Sequence, residues 1–282
     1  MVGGFIMYKS RTIYYPQSEI HTPLIPVASG CPHNKCKFCS MFKDQPYEEL
    51  PIDEIEYELK NLQEYTEKIF ITGADPLAVG YKKMMLVLKK VKKYAPYCAC
   101  VAAYASVRSI AKYSVEELKD LHEAGLRLLY IGFESGWDYS LKLMGKGHTA
   151  EMAVEQGKKL NEANILFNSI VMYGIAGKGK SVENAIKTAE MLNQFNSHKI
   201  VTMNLTVFEM TELAQMVRND EFVQADTNEK VLEIKTLLEH LEMKKPTIFD
   251  TTHATNLIKI EGTLPAEKSK LLKELPLVFP VM

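Results

Sequence analysis

No excess of charge, no long apolar run and no dispersed set of cysteines marks this chain. Its 34 Lys and Arg balance 35 Asp and Glu, for a formal net charge of −1 over 282 residues, so the global electrostatics call for neither a nucleic-acid backbone nor an anionic membrane. No stretch approaches the roughly twenty uninterrupted apolar residues that a membrane-spanning helix needs. The start, Met1-Val-Gly-Gly-Phe-Ile-Met-Tyr-Lys-Ser10, lacks the charged, apolar and small-residue order of a secretory signal. Five cysteines, odd in number and clustered, argue against a disulfide framework and for a reducing cytoplasm. What is there, 46% apolar and 24% charged residues, is the composition of a globular chain of one large or two medium domains.

Three of the cysteines fall within nine residues, Cys31-Pro-His-Asn-Lys-Cys36-Lys-Phe-Cys39. Three thiolates are one short of the four that close a structural zinc site or a standard iron–sulfur site, so an exogenous ligand is expected in the remaining position. His33, between the first two cysteines, leaves a zinc-binding interaction protein as the alternative. Cys98 and Cys100 lie two apart in a strand-like stretch, where a shared face predicts core packing.

From about residue 50 onward, short apolar runs alternate with amphipathic segments, the pattern of consecutive βα units around a parallel sheet. Pro51 opens a helix, 68–72 reads as a strand, 81–95 as a helix and 98–104 as the next strand. Ser114 and Glu117 form a capping box, and Gly125 ends that helix before a strand at 127–132. A helix over 150–163, a strand at 165–173, a helix capped by Ser181 and a strand at 199–208 complete five repeats. A sixth strand is expected to precede or carry the cysteine loop. The predicted fold class is α/β, a partial TIM-type (β/α)6 barrel over 1–210 with a C-terminal helical extension, 211–282, closing the substrate side.

Such folds bind ligands beyond the carboxyl ends of their strands. Four loops there carry residues that a plain connector does not need: the cysteine loop, Gly73-Ala74-Asp75-Pro76, Gly132-Phe133-Glu134-Ser135-Gly136, and Gly174-Ile175-Ala176-Gly177. Each alone is explicable as turn chemistry or a helix-start carboxylate. Their conjunction beside a three-thiolate site points to a ligand-binding rim.

With these residues in hand, the chain resembles the radical S-adenosylmethionine (radical SAM) superfamily over residues 24 to 210. The resemblance implies that Cys31, Cys36 and Cys39 hold a [4Fe–4S] cluster, with aromatic Phe38 before the last cysteine. It also implies that the amino and carboxylate groups of S-adenosylmethionine fill the fourth iron. Four residues separate the first two cysteines, where most members have three. Gly73, Ala74 and Asp75 stand where the family contacts the methionine amino group, with the shorter acid shifting that contact toward backbone. Glu134, assisted by Ser135, corresponds to the carboxylate on the ribose. Gly174 lies in the loop along adenine and methionine, and Asn204 closes over the adenine.

The implied activity is reductive cleavage of the cofactor to a 5′-deoxyadenosyl radical, followed by hydrogen abstraction from substrate. Substrate clues lie in Asp250-Thr-Thr-His253-Ala-Thr-Asn256, where His253 and Asp250 are the candidate catalytic residues. Tyr14, Tyr15, Arg108, Trp137 and Tyr173 are weaker candidates for stacking or phosphate contact, and Lys178 and Lys180 for an anionic group. No cobalamin-binding domain or second cysteine cluster is expected in the remaining residues. The expected partners are a small nucleoside-like substrate and an electron donor such as flavodoxin or ferredoxin; nucleic acid and membrane are disfavoured, and a homodimer is allowed. Within the superfamily, length, cysteine spacing and the polar C-terminal loop point to the queuosine-salvage lyase branch, acting on queuosine or its 5′-phosphate with release of queuine. A macromolecular substrate, tRNA or protein, is the alternative within the same chemistry.

Overall fold

A computed structural model describes residues 3–8, 11–63 and 65–276, with residues 3–8 and 11 described by their backbone. The chain divides into two compact units. One comprises Met1–Asn34, Met41–Ile131 and Lys159–Phe167, and the other Lys35–Ser40, Gly132–Lys158 and Asn168–Met282.

The first unit opens with an antiparallel pair, β1 (Gly3–Tyr8) and β2 (Arg11–Pro16). β3 (Leu24–Pro26) precedes the cysteine loop, and β4 (Ala28–Ser29) pairs antiparallel with β5 (Glu48–Glu49). Then come α1 (Ile52–Lys60), β6 (Lys68–Thr72), α2 (Tyr81–Tyr94), β7 (Cys100–Ala105), α3 (Val107–Ile110), α4 (Val115–Glu123) and β8 (Leu126–Glu134), whose last three residues count with the second unit. β3, β6, β7 and β8 lie side by side in that order, all parallel.

Local chemistry explains these elements. Ile69, Phe70 and Ile71 are buried in succession, because a parallel strand covered on both faces calls for a continuous apolar run. α1 buries Ile55 and Leu59 one turn apart and carries Asp53 and Glu54 in its first turn and Lys60 in its last, the signs that suit the helix dipole. Ser114 and Glu117 cap α4 reciprocally, and Gly125 stops the chain's helical path at φ +114°, which an L side chain resists.

The second unit contains α5 (Asp138–Leu143), most of α6 (Ala150–Glu162), most of β9 (Leu166–Tyr173), α7 (Ser181–Leu192) and β10 (Lys199–Asn204). After them come α8 (Glu212–Arg218), α9 (Thr227–His240), β11 (Thr247–Asp250), β12 (Glu261–Leu264) and α10 (Lys268–Glu274). β9, β10 and β11 run parallel, with Tyr173 opposite Asn204 and Val201 opposite Asp250, and β12 returns antiparallel to β11.

The expected α/β fold with mostly parallel strands is present, including the strand before the cysteine loop. The segment expected as a helical extension carries three helices and also the strands β11 and β12; its residues 277–282 lie outside the described residues. β10 ends at Asn204 rather than 208. Thr206 and Val207 favour extension, but β9 stops at Tyr173 and Gly174 turns away at φ +79°, so no neighbour remains to pair with them. Cys98 lies before β7, in the turn closed by its N–H on the Ala95 carbonyl. It and Cys100 are half-buried rather than core-packed, and burial raises both thiols above their ordinary range. Ser181, read as the cap of α7, is its first residue, with Lys180 in the cap position.

Candidate active site

The cysteine loop is built by tight turns. Gly30 has φ +67°, and a Cβ there would sit 2.3 Å from the Pro46 carbonyl oxygen, so only glycine fits. In the first unit the Cys31 Sγ accepts the Asn34 N–H at 3.4 Å, and Asn34 Nδ2 donates to the Phe42 carbonyl at 3.1 Å. His33 Nδ1 is in contact with Arg108. In the second unit the Cys39 N–H reaches the Cys36 carbonyl at 3.3 Å, while Lys37 donates to the Met144 carbonyl and accepts from the Leu213 N–H, both at 3.0 Å. These bonds seat the Cys36–Cys39 turn on the end of α5 and the start of α8.

All three loop cysteines are partly exposed, as is Phe38. Among the described residues no three His, Cys, Asp or Glu side chains are gathered to hold a single metal ion.

Lys146, which the sequence alone did not single out, lies beside one of the candidate residues. Its Nζ lies 3.0 Å from Glu134 Oε1, with the two side chains 13% and 11% exposed. Burial alone would lower its pKa, but Glu134, Cys36 and Cys39 outweigh burial and hold the ammonium above its ordinary range. Glu134 ends β8 at φ +64°, a left-handed conformation costly for a non-glycine residue and frequent where a side chain must be aimed at a ligand. The next residue, Ser135, is fully buried; its hydroxyl donates to Asn184 Oδ1 at 2.7 Å and accepts the Trp137 N–H at 2.9 Å.

Asp75 is committed locally. Its carboxylate accepts the Ser106 N–H at 3.2 Å, the Ser106 hydroxyl at 2.6 Å and the Ser109 hydroxyl at 2.7 Å, so it anchors the start of α3. Beside it, Gly73 is buried at φ +139°, where a Cβ would lie 3.2 Å from the Ala28 carbonyl oxygen, and Ala74 is half-buried.

At the ends of β9 and β10, Asn256 works as an internal brace. Its Nδ2 donates to the Thr202 and Thr251 carbonyls at 2.7 and 2.8 Å, and its Oδ1 accepts from the Asn204 N–H and the Tyr173 hydroxyl at 2.8 and 3.0 Å. With all four positions used, it has nothing left for a substrate. The Asn204 Oδ1, in contrast, is buried with no partner, an acceptor that a ligand amine would satisfy. Asp250 accepts from Lys199 Nζ at 2.9 Å and from the Thr252 N–H and hydroxyl at 2.7 Å. Burial opposes its ionisation, yet these partners keep its pKa below the usual value. His253 is buried, its Nδ1 2.8 Å from the Thr255 hydroxyl.

The sequence matches the Radical SAM superfamily over residues 25–191, more than half of the chain, and the chain belongs to that superfamily. The cofactors of the superfamily are a [4Fe–4S] cluster and S-adenosylmethionine. The heme chaperone HemW of Bacillus subtilis (strain 168) is 24% identical over 204 residues, 67% of this chain and 51% of the relative, so the chain spans about half the length of the curated relative it matches. Among solved structures, methylornithine synthase (PylB) is similar with a TM-score of 0.57 at 15% identity, covering 80% of this chain and 63% of that one. Coproporphyrinogen III oxidase (HemN) from Escherichia coli, a radical SAM enzyme, is similar with a TM-score of 0.58 at 16% identity, covering 77% and 51%. At these identities the likeness is one of fold, in keeping with a partial TIM-type barrel. No helix among the described residues is long and apolar enough to cross a membrane.

Proposed function

We propose that this protein holds a [4Fe–4S] cluster on Cys31, Cys36 and Cys39 and uses it to cleave S-adenosylmethionine. The observation that supports the reading is the buried Lys146–Glu134 pair beside Cys36 and Cys39, one cation and one carboxylate of the kind that a zwitterionic, ribose-bearing cofactor calls for. When bound, the cluster supplies one electron, and the products are methionine and a 5′-deoxyadenosyl radical. The chain's own residues bind and orient. Glu134 accepts from ribose hydroxyls, with Ser135 fixing its turn, and Lys146 faces the methionine carboxylate. The backbone of Gly73 and Ala74 takes the amino group while Asp75 holds that loop in shape. Gly174 lets the adenine lie close to the chain, Asn204 Oδ1 accepts its amine, and Phe38 walls the cluster. A flavodoxin or ferredoxin donates the electron.

The reading is tested by anaerobic reconstitution, which is expected to give about four irons per chain and 5′-deoxyadenosine with dithionite. Iron-loaded protein that forms no 5′-deoxyadenosine in the presence of the cofactor would overturn it. For the substrate we propose a small nucleoside-like molecule, with queuosine or its 5′-phosphate as the first to assay and His253 as the candidate proton donor. Asp250 is held by Lys199 and Thr252, and it serves as a partner that orders the loop carrying His253. The similarity to a heme chaperone favours a second reading, a heme-related role. 5′-Deoxyadenosine that rises with queuosine supports the first reading; stoichiometric heme binding without such a rise supports the second.

A further inference from the structure

Asn184, in the first turn of α7, and Glu233, in the middle of α9, are each 2% exposed. Glu233 Oε2 accepts the Gly174 N–H at 2.8 Å, and its Oε1 accepts Asn184 Nδ2 at 2.7 Å. Asn184 Oδ1 in turn accepts the hydroxyls of Ser135 at 2.7 Å and Ser140 at 2.8 Å. The donor directions follow from chemistry. The Gly174 N–H and Asn184 Nδ2 can only donate, so one carboxylate answers both, and the Asn184 amide is thereby turned to receive the two serines.

Two loops separated in sequence, the Ser135 turn after β8 and the Gly174 loop after β9, are therefore tied to a single side chain. That side chain lies outside residues 25–191, the span matched by the superfamily. Burying a carboxylate is costly unless every lone pair that matters is answered, and here the bonds it makes run to these loops. We propose that Glu233 and Asn184 are positioning residues that fix the spacing of the Ser135 turn and the Gly174 loop, so that the ribose and adenine contacts of the cofactor are preformed before it binds. This rests on the cofactor role given to those loops under the proposed function. The gain is preorganisation: loops already ordered lose less freedom on binding.

The test compares wild type, E233Q and N184D/E233Q at pH 8. In E233Q an amide N–H confronts one of two donors, and the chain of bonds breaks. In the double variant the amide at 233 keeps the Gly174 N–H on its oxygen and donates to a carboxylate at 184, which still accepts both serines; the net charge is unchanged. Amide exchange of the apoprotein, which needs no cofactor, is expected to quicken at least about fivefold in the peptides covering Ser135 and Gly174 of E233Q and to return toward wild type in the double variant. In the reconstituted enzyme, E233Q is expected to raise the KM for S-adenosylmethionine about tenfold with kcat and iron content nearly unchanged, and the double variant to recover most of the loss. Unchanged exchange in E233Q, or no recovery in the double variant, overturns the proposal. If E233Q fails to fold, a folded double variant with wild-type exchange supports the pairing, and failure of both overturns it. If wild type forms no 5′-deoxyadenosine, the cofactor reading falls, and with it the purpose proposed for the tether; the exchange arm then reports the tether by itself.

Discussion

Lys146 and Glu134 form a nearly buried ion pair at 3.0 Å, twelve residues apart on opposite ends of α5. Glu134 holds its left-handed backbone at the end of β8, and Lys146 follows the turn after α5 that carries Gly145, where a Cβ would lie 2.7 Å from the Lys35 carbonyl oxygen. The same turn that packs against the cysteine loop thus delivers the cation to the carboxylate. A change at either residue acts on the local fold and, under the proposed function, on the cofactor contacts.

Removing one partner of such a pair strands the other charge. Lys146→Met is expected to lower the unfolding free energy of the apoprotein by about 3 kcal/mol, and Lys146→Arg by less than about 1 kcal/mol. The double variant Lys146→Met with Glu134→Gln recovers most of the stability and none of the cofactor affinity, because it removes the stranded charge along with the ribose acceptor. Urea denaturation and the KM for S-adenosylmethionine separate the two effects. Wild-type affinity in the double variant would remove both residues from the site.

Cysteine substitution distinguishes the loop from the remaining thiols. Cys31→Ser, Cys36→Ser and Cys39→Ser are each expected to reduce reconstituted iron to below about one quarter and to abolish 5′-deoxyadenosine formation, since in the proposed cluster each thiolate would hold a separate iron. Cys98→Ser and Cys100→Ser are expected to retain both iron and activity, their thiols being half-buried in the first unit with raised pKa values. Iron content and product yield on the five variants check this. Loss of iron in Cys100→Ser would bring the second pair of cysteines into the site.

The fold was legible because its signals are local. Apolar runs such as Ile69-Phe70-Ile71, the Ser114–Glu117 box and the Gly125 stop encode strand, start and end within a few residues. The glycine loops and the cysteine loop were legible for the same reason. Polar partnerships were not, because they join residues far apart in sequence: Asp75 with Ser106 and Ser109, Asn256 with Tyr173 and Asn204, Glu233 with Gly174 and Asn184. Asp75 and Asn256 looked available on paper and are bonded within the protein. Glu233 gave no signal at all, as a glutamate in a helix is ordinarily a solvated one.

Asp75 offers a check on that distinction. If its carboxylate serves to anchor α3, Asp75→Ala costs about 1–2 kcal/mol of stability, the usual worth of lost hydrogen bonds to a charged group. The KM for S-adenosylmethionine then stays within about twofold, since the proposed contact is made by the backbone of Gly73 and Ala74. Thermal melting of the apoprotein and steady-state kinetics at a temperature where the variant is folded give the two numbers. A stable variant with a KM raised more than about tenfold would instead make the Asp75 side chain a direct contact to the cofactor.

The pH dependence of stability follows from Glu233. Burial raises its pKa, and the bonds from Gly174 and Asn184, with Lys230 nearby, offset part of that, leaving it at about 7 against an ordinary 4.5. A carboxyl with a raised folded-state pKa binds a proton more readily in the folded chain than in the unfolded one. Its contribution is therefore greatest below about pH 4.5 and is lost as the pH climbs to about 7, with a total of about 3 kcal/mol from roughly two and a half pKa units. Unfolding free energies of the apoprotein between pH 5 and pH 8 are expected to fall with rising pH, and E233Q, which cannot ionise at this position, is expected to flatten that segment of the curve. The difference between the two curves isolates the group, since every other carboxylate and histidine is common to both. Parallel curves would mean that the Glu233 carboxylate is already ionised at pH 5, stabilised by its two N–H donors well beyond what burial takes away.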